Sequence, residues 1–222
     1  PRTSGTAGTG IAGIPNYIPS SKNSGFVTWR CTKLTSCGNL TGFRIFYYLS
    51  GNLSSSGTCL KMKGQDISLN CMSGIYGYSI TGSGTPGSAG VSVINSSKVA
   101  VSRCAISGYS DNILVSNSRN LIFQGDSLSG ASESGLRASN STNVSIIGVI
   151  SNSNSYGILL ENVSFSSISR ETKTSNNSEA GAMAVNSPGL SITGLDSYSN
   201  THGILLENMN SSSISQTVSA HN

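Results

Sequence analysis

The chain has 222 residues, only 10% of them are charged, and its formal net charge is +4. Charged residues usually make up about a quarter of a globular domain, and abundant Ser, Gly, Asn and Thr take their place here. The 13 Lys and Arg form no basic run, which argues against a nucleic-acid partner. No apolar run reaches the roughly 18 residues of a membrane span, so we expect no such span.

Two segments precede the first clear repeat. Residues 1–25 are rich in Gly, Ser, Thr and Pro, which predicts a flexible arm or inter-domain linker. An arm that docks on a neighbouring subunit is the alternative. Residues 26–56 are rich in aromatic side chains, and apolar residues alternate from Phe43 to Leu49. We interpret this region as an aromatic N-terminal cap, either a capping strand or a first, incomplete coil.

A hexad that ends in Asn recurs from residue 90 onward. The hexads begin at residues 90, 112, 135, 157, 181 and 203, and the phrase "GILLEN" occurs twice among them. Within each repeat of 22–24 residues, apolar residues alternate over three short stretches, which is the pattern of β-strands. Three strands per repeat predict an all-β parallel β-helix, a solenoid whose coils cover residues 57–222.

The asparagines that end the hexads predict a column along one corner of the β-helix. Asn tolerates the left-handed backbone that a tight corner needs. Side-chain amides one coil apart can also bond to one another as a ladder along the axis. We therefore assign a structural role, and no ligand, to Asn95, Asn117, Asn140, Asn162, Asn186 and Asn208.

All five cysteines lie in the first half of the chain, and their spacing fits no zinc motif. We expect no metal and no cofactor. The disulfides that we predict are Cys31–Cys37 and Cys59–Cys71, with a link from Cys59 or Cys71 to Cys104 as the alternative. Disulfides form in oxidising compartments, so their presence favours an extracellular or cell-surface location.

Eight Asn-x-Ser/Thr triplets are candidate N-glycosylation sites, and they agree with that location. Such triplets also arise by chance in a chain this rich in Ser and Asn. The asparagines concerned are Asn39, Asn52, Asn95, Asn140, Asn143, Asn162, Asn176 and Asn210.

Only nine carboxylates are available for catalysis. Glu161 and Glu207 occupy the same position two coils apart, about 9–10 Å by strand spacing. An inverting glycosidase pair lies about 6.5–9.5 Å apart. However, Val185 lies between the two glutamates, and both come from copies of one phrase. We expect them to be solvated carboxylates, and we predict no catalytic residue.

The repeat resembles the right-handed parallel β-helix superfamily typified by pectate lyases. Residues 57–82, "GTCLKMKGQDISLNCMSGIYGYSITG", are similar to the carbohydrate-binding and sugar-hydrolase repeats of microbial surface proteins, with Asn70 in place of an Asp. The resemblance implies a right-handed solenoid. It implies little about function, since this fold hosts lyases, hydrolases, epimerases, phage spikes and adhesins.

These observations predict a non-enzymatic extracellular structural protein, either a cell-surface or a filament-forming subunit with an adhesive role. The last coil runs to Asn222 without a change of pattern, which suggests head-to-tail self-association. Glycans are the other expected partner. The alternative function is a carbohydrate-binding or polysaccharide-cleaving domain, either a lyase or a hydrolase.

Overall fold

The structure is a computed structural model that describes residues 29–73 and 76–222. The predicted arm, residues 1–25, lies outside the described residues. The strands are β1 (Arg30–Leu34), β2 (Gly38–Leu49), β3 (Leu53–Ser55), β4 (Leu60–Asn70), β5 (Met72–Ser73), β6 (Tyr76–Gly77), β7 (Ser79–Gly82), β8 (Ala89–Ile94), β9 (Ser97–Ser102), β10 (Ala105–Ser107), β11 (Asp111–Ser116), β12 (Arg119–Gln124), β13 (Ser127–Ser129), β14 (Ser134–Ile147), β15 (Ile150–Asn152), β16 (Tyr156–Ser164), β17 (Ser167–Ser175), β18 (Ala180–Val185), β19 (Ser191–Tyr198), β20 (His202–Glu207), β21 (Ser213–Ser215) and β22 (Val218–Ala220).

Each coil pairs in parallel with the coil before it and the coil after it. Ile113 of β11, for example, lies between Val91 of β8 and Leu136 of β14. Twenty strands join in this way into one sheet, wound into a right-handed parallel β-helix of about eight coils. Strands β5 and β6 form a separate antiparallel pair. The predicted fold is confirmed.

The solenoid has three faces, and inward side chains from all of them form one core. Face 1 consists of β8, β11, the start of β14, β16, β18 and β20, and face 2 follows it in every coil. Face 3 includes β10, β13 and β15. The alternation that was read from the sequence places Ile113, Phe123 and Leu128 in the core, one from each face, and all are fully buried. Stacking thus gives a continuous apolar interior to coils that could not fold alone.

The region predicted as a cap over residues 26–56 continues the solenoid in its described part. Strand β2 pairs in parallel with β4, and β3 pairs with β7, so residues 38–55 form a coil. Strand β1 then stacks on β2. The described part of this region is therefore a first coil of the solenoid and not a separate capping strand.

The asparagines of the corner column take the left-handed backbone that was predicted, with φ between 47° and 55°. Their amides do not form the predicted ladder, however. Their side chains point into solvent, and only Asn162 Nδ2 donates to Asn140 Oδ1, at 3.4 Å, among the described residues. The buried serine that follows bridges the coils instead: the Ser96 amide donates to Ser118 Oγ at 3.0 Å.

A true amide ladder runs along a different corner, at the end of face 3. The column contains Asn154, Asn177, Asn200 and Asn222, and we call it the buried Asn column. Asn177 is 2% exposed. Its Oδ1 accepts from the backbone amide and the Nδ2 of Asn154, at 3.0 and 3.2 Å. Its Nδ2 donates to Asn200 Oδ1 at 2.8 Å and to the Ser151 carbonyl at 3.3 Å.

The glycine that begins several hexads is explained by this column. A Cβ on Gly157 would lie 2.9 Å from Asn177 Nδ2 and would also clash with the Gly181 carbonyl oxygen. A side chain at Gly157 would therefore push the amide out of its ladder. The "G" of "GILLEN" leaves room for an asparagine in the next coil.

Both predicted disulfides, Cys31–Cys37 and Cys59–Cys71, are wrong. The bonds are Cys37–Cys59 and Cys71–Cys104, and Cys31 is free and exposed. The alternative link from Cys71 to Cys104 is therefore correct. Both bonds join neighbouring coils, where the Cα atoms are 4.6 and 4.8 Å apart. That separation equals the coil spacing and suits a disulfide, so partners share a column.

Candidate functional site

The outer side of face 1 carries an open groove of about 410 Å³, which we call the face-1 groove. It crosses β14, β16 and β18, where Arg137, Leu159 and Met183 are register partners in adjacent strands. These residues alternate with the inward core residues and therefore face out. The lining is formed by Ser132, Glu133, Ser134, Arg137, Ser155, Tyr156, Leu159, Glu161, Glu179, Met183 and Val185.

The floor of the groove is apolar, although it lies on the outside of a polar rod. Leu159 is only 8% exposed, and Met183, Val185 and Tyr156 are half-buried. The apolar strip continues along face 1, where Leu205 is the register partner of Met183 in the next strand. An apolar strip of this kind offers a surface from which a ligand can displace water.

One arginine organises the charged rim of the groove. Arg137 Nη2 lies 2.9 Å from Glu161 Oε2, and its Nη1 lies 3.3 Å from Glu133 Oε2. The Ser110 hydroxyl donates to Glu133 Oε1 at 3.0 Å. The three charged groups come from two adjacent coils. The Arg137 side chain is about one-third exposed, so solvent screens these ion pairs and they hold the rim in place more than they stabilise the fold.

A fourth acidic group lies at the lower end of the groove. Asp111 is the register partner of Ser134, which lines the groove, and it is only 5% exposed. Burial, and secondly the charge of Glu133, raise the pKa of Asp111 to about 6, while Arg137 and Ser134 oppose the rise. Its Oδ1 is buried without a hydrogen-bond partner. The carboxyl group can therefore hold a proton near neutral pH.

The structure separates Glu161 and Glu207, the pair that was considered for catalysis. Val185 lies between them in the register, as the sequence indicated. Glu161 is bound to Arg137, whereas Glu207 is exposed outside the groove. The asparagines of the eight predicted glycosylation triplets are all exposed, and their use stays a prediction.

A second groove, of about 470 Å³, follows the corner between faces 1 and 2, and we call it the corner groove. Its lining is entirely polar: Asn95, Ser96, Ser97, Asn117, Ser118, Arg119, Asn140 and Thr142. Several residues of the predicted corner column therefore line a surface depression. The corner groove has no apolar floor, and its buried serines already bond to the backbone.

Sequence reasoning missed Glu133, Arg137 and Asp111 as members of one site. A signal did exist, because charged residues are rare in this chain and the repeat fixes their columns. Arg137 lies two residues after its hexad starts, and Glu161 lies four residues after the next hexad starts. Placing them on one outer face was therefore possible from the period alone.

Two further findings concern the described residues, 29–73 and 76–222. None of their His, Cys, Asp and Glu side chains come together in a group of three or more that could hold a metal ion. In this part of the chain, no helix is long and apolar enough to cross a membrane.

The fold and this site define the class of protein: a polar β-helix rod that carries an amphipathic groove on its outer surface. The chain belongs to the NosD family, described as periplasmic copper-binding proteins, whose family model matches residues 54–221. The two disulfides agree with a compartment outside the cytoplasm. No curated protein matches the chain in sequence.

Two phage or viral proteins are similar in structure. The Dettilon tailspike protein gp208 has a TM-score of 0.55 and 13% identity, over 84% of this chain and 54% of that one. ORF18 of Geobacillus virus E2 has a TM-score of 0.51 and 8% identity, over 83% of this chain and 51% of that one. The chain thus spans about half the length of these two proteins. At such low identity the likeness shows the fold alone.

Among the described residues, no His and Cys side chains gather into a group that fits the copper ion implied by the family description. Copper prefers His, Cys and Met ligands. Four cysteines are in disulfides, and Cys31 lies on β1, far along the rod from the exposed His202 and His221. Met62 is buried in the core, 1% exposed. These donors do not converge, and no role of copper is derived for this chain.

Proposed function

We propose that the chain is a non-enzymatic carbohydrate-binding β-helix that acts outside the cytoplasm, at the cell surface or beyond it, and that the face-1 groove holds the glycan. One observation carries this proposal. On a rod whose surface is mostly Ser, Asn and Thr, this groove alone among the two described combines an apolar floor with a hydrogen-bonding rim. Sugar rings have both an apolar C–H face and a polar edge.

The lining matches the two sides of a sugar ring. Tyr156 and Leu159 offer apolar contact to the C–H face, and the aromatic ring adds a large rigid surface. Glu133, Arg137 and Glu161 offer fixed acceptors and donors to hydroxyl groups. Because the Arg137 ion pairs hold these groups before a ligand arrives, binding costs less side-chain entropy.

The positions of the carboxyl groups favour binding over cleavage. Asp111 has a pKa of about 6, which suits a general acid, but it is 5% exposed. A buried carboxyl group cannot reach a glycosidic oxygen in the groove. Glu161, which is reachable, is held by Arg137. A cleaving enzyme is thus the weaker proposal, and an assay for new reducing ends or unsaturated sugars after incubation with bound glycans tests it.

The experiment for the main proposal is a glycan array followed by isothermal titration calorimetry. The variants are Glu133→Ala and Tyr156→Ala in the groove, and the matched controls are Glu207→Ala outside the groove and Tyr198→Ala on face 3. We expect the groove variants to weaken binding about tenfold or more, since each removes a contact worth roughly 1–3 kcal/mol. Absence of glycan binding, or equal losses in the controls, would overturn the proposal.

Self-association stays a separate proposal. A second copy could stack on this chain through the strand edges of a coil, since unpaired edges of a parallel sheet pair readily. A structural or adhesive role could then combine with glycan binding, since face 1 would remain open along the rod. Sedimentation velocity over a range of concentrations tests it, and a single monomeric species at the highest concentration would rule it out.

A further inference from the structure

The charge of the face-1 groove is opposite to that of the whole chain. The lining contains three carboxylates, Glu133, Glu161 and Glu179, and one guanidinium, Arg137, which gives a formal net charge of −2. The whole chain carries +4. The groove is therefore a local negative site on a positive rod. Because the whole chain repels cations at long range, a cationic ligand must be held by short-range contacts in the groove.

Arg137 is not free to receive an anionic ligand. Its Nε and Nη2 both lie 2.9 Å from Glu161 Oε2, and its Nη1 lies 3.3 Å from Glu133. A ligand carboxylate would have to displace one of these partners and would then face the freed carboxylate at short range. Like charges in a partly desolvated groove repel.

The buried Asp111 below the groove also disfavours an anionic ligand. Asp111 is nine-tenths buried or more, its Oδ1 lacks a hydrogen-bond partner, and it interacts with the charge of Glu133. When it is ionised, the Asp111 carboxyl group adds negative charge beneath the groove, which also disfavours an anionic ligand. An ammonium group brings three donors and one positive charge.

We infer that the natural ligand of the face-1 groove is an amine-bearing sugar polymer, such as a partly or fully de-N-acetylated amino-sugar chain, rather than a uronate. This inference rests on the proposed function, since it assumes that the groove binds a glycan. The apolar floor receives the C–H face of a ring, and the rim carboxylates receive the ammonium group. Tyr156 adds a ring face toward which a cation is attracted.

The test compares three soluble hexasaccharides by calorimetry at low and physiological salt: glucosamine hexamer, N-acetylglucosamine hexamer and galacturonate hexamer. We expect the glucosamine hexamer to bind about tenfold or more tightly than its acetylated form, and to weaken as salt rises. We expect no groove binding of the galacturonate hexamer. A lysine hexamer, at the same charge, should bind more weakly because it lacks the ring faces that fit the floor.

Charge-neutral variants locate the effect. Glu133→Gln and Glu179→Gln should each weaken glucosamine binding about three- to tenfold, while Glu171→Gln, at an exposed corner outside the groove, should leave it unchanged. Circular dichroism checks that each variant is folded. Galacturonate binding that the groove variants do not alter occurs outside the groove and leaves the inference standing.

Three outcomes would overturn the inference. Equal binding of the acetylated hexamer without salt dependence, or galacturonate binding lost in the groove variants, would refute the amine preference while the proposed function survives. A lysine hexamer that binds more tightly than any sugar would refute the claim that the natural ligand is a sugar polymer. If no glycan binds at all, here or on the array, the proposed function itself fails.

Discussion

Two corners of this β-helix use the same amino acid for different purposes. At the corner after face 1, exposed asparagines such as Asn186 set a left-handed backbone conformation, and a neighbouring serine bridges the coils. At the corner after face 3, Asn177 and its neighbours are buried, and their amides themselves link coil to coil. Burial decides the role: an amide in water has no need of the next amide, whereas a buried amide must be satisfied.

We expect the largest loss of unfolding free energy in the N-terminal coils, where disulfides join the coils and the buried Asn column is absent. Replacing Cys71 and Cys104 with Ser opens a loop with a sequence separation of 33 residues. Loop-entropy arguments put the loss in unfolding free energy at roughly 3–4 kcal/mol. Urea unfolding measures it. A loss below about 1 kcal/mol would mean that strand stacking holds these coils without help from the disulfide.

The second effect concerns the buried Asn column. Asn177→Ala removes the acceptor of the Asn154 amide and leaves buried polar groups without partners. We expect a loss of about 2–3 kcal/mol in unfolding free energy. Asn210→Ala, an exposed asparagine outside the column, is the control and should change stability by less than about 0.5 kcal/mol. Similar losses in both variants would contradict the stabilising role of the buried amides.

The third change in stability concerns Asp126, at the corner between faces 2 and 3. Its buried carboxyl group bonds to a backbone amide of the neighbouring coil, as the buried asparagine amides do. Asp126 Oδ1 accepts from the Cys104 amide at 2.9 Å, while its Oδ2 is buried without a partner. Burial raises the pKa of Asp126 well above its usual value. Asp126→Asn keeps an acceptor without a charge, so we expect it to stabilise the protein at pH 7 by about 1–2 kcal/mol.

The pH dependence gives a sharper version of this test. In the folded state Asp126 keeps its proton above the unfolded pKa of about 3.9. Its contribution to stability is therefore complete below that pH and is lost as pH rises toward the folded pKa. Asp126→Asn should remove this decline in urea midpoints. A variant that is less stable than the native chain at pH 7 would show that the carboxyl group is satisfied by other means.

The smallest effect concerns the exposed corner column. Asn186 has a φ of 50°, which a β-carbon makes costly. Asn186→Ala should lose about 1 kcal/mol, while Asn186→Gly should stay within about 0.5 kcal/mol of the native chain. Thermal unfolding of the two variants separates them. If Gly were as harmful as Ala, the amide itself would be the stabilising group, as first predicted from the sequence.

The period and the alternation of apolar residues were enough to predict the solenoid, since Ile113 and Ile158 recur at one position and must share a face. The ladder was predicted at the wrong corner, because Asn177 lies in a polar stretch whose burial depends on how the coil closes. Cys71–Cys104 was predicted only as an alternative, because the two residues are 33 apart, more than one repeat. Cys37–Cys59 was missed although its separation of 22 residues equals the repeat.

The candidate site was harder to predict than the fold. The period places Arg137 and Glu161 on one outer face, but Glu133 lies just before its strand, outside the repeated pattern, so its pairing with Arg137 was not predictable. Their meeting depends on strand register. The pKa of Asp111 depends on burial by groups of neighbouring coils, which no local pattern reveals.

The most direct test of the central claim is hydroxyl-radical footprinting with and without a glycan that binds. Tyr156 and Met183 line the face-1 groove, whereas Tyr198 and Met209 lie outside it and serve as internal controls. We predict that the bound glycan protects Tyr156 and Met183 from oxidation and leaves the two controls unchanged. Protection of the controls, or of corner-groove peptides, without protection of Tyr156 and Met183 would contradict the account.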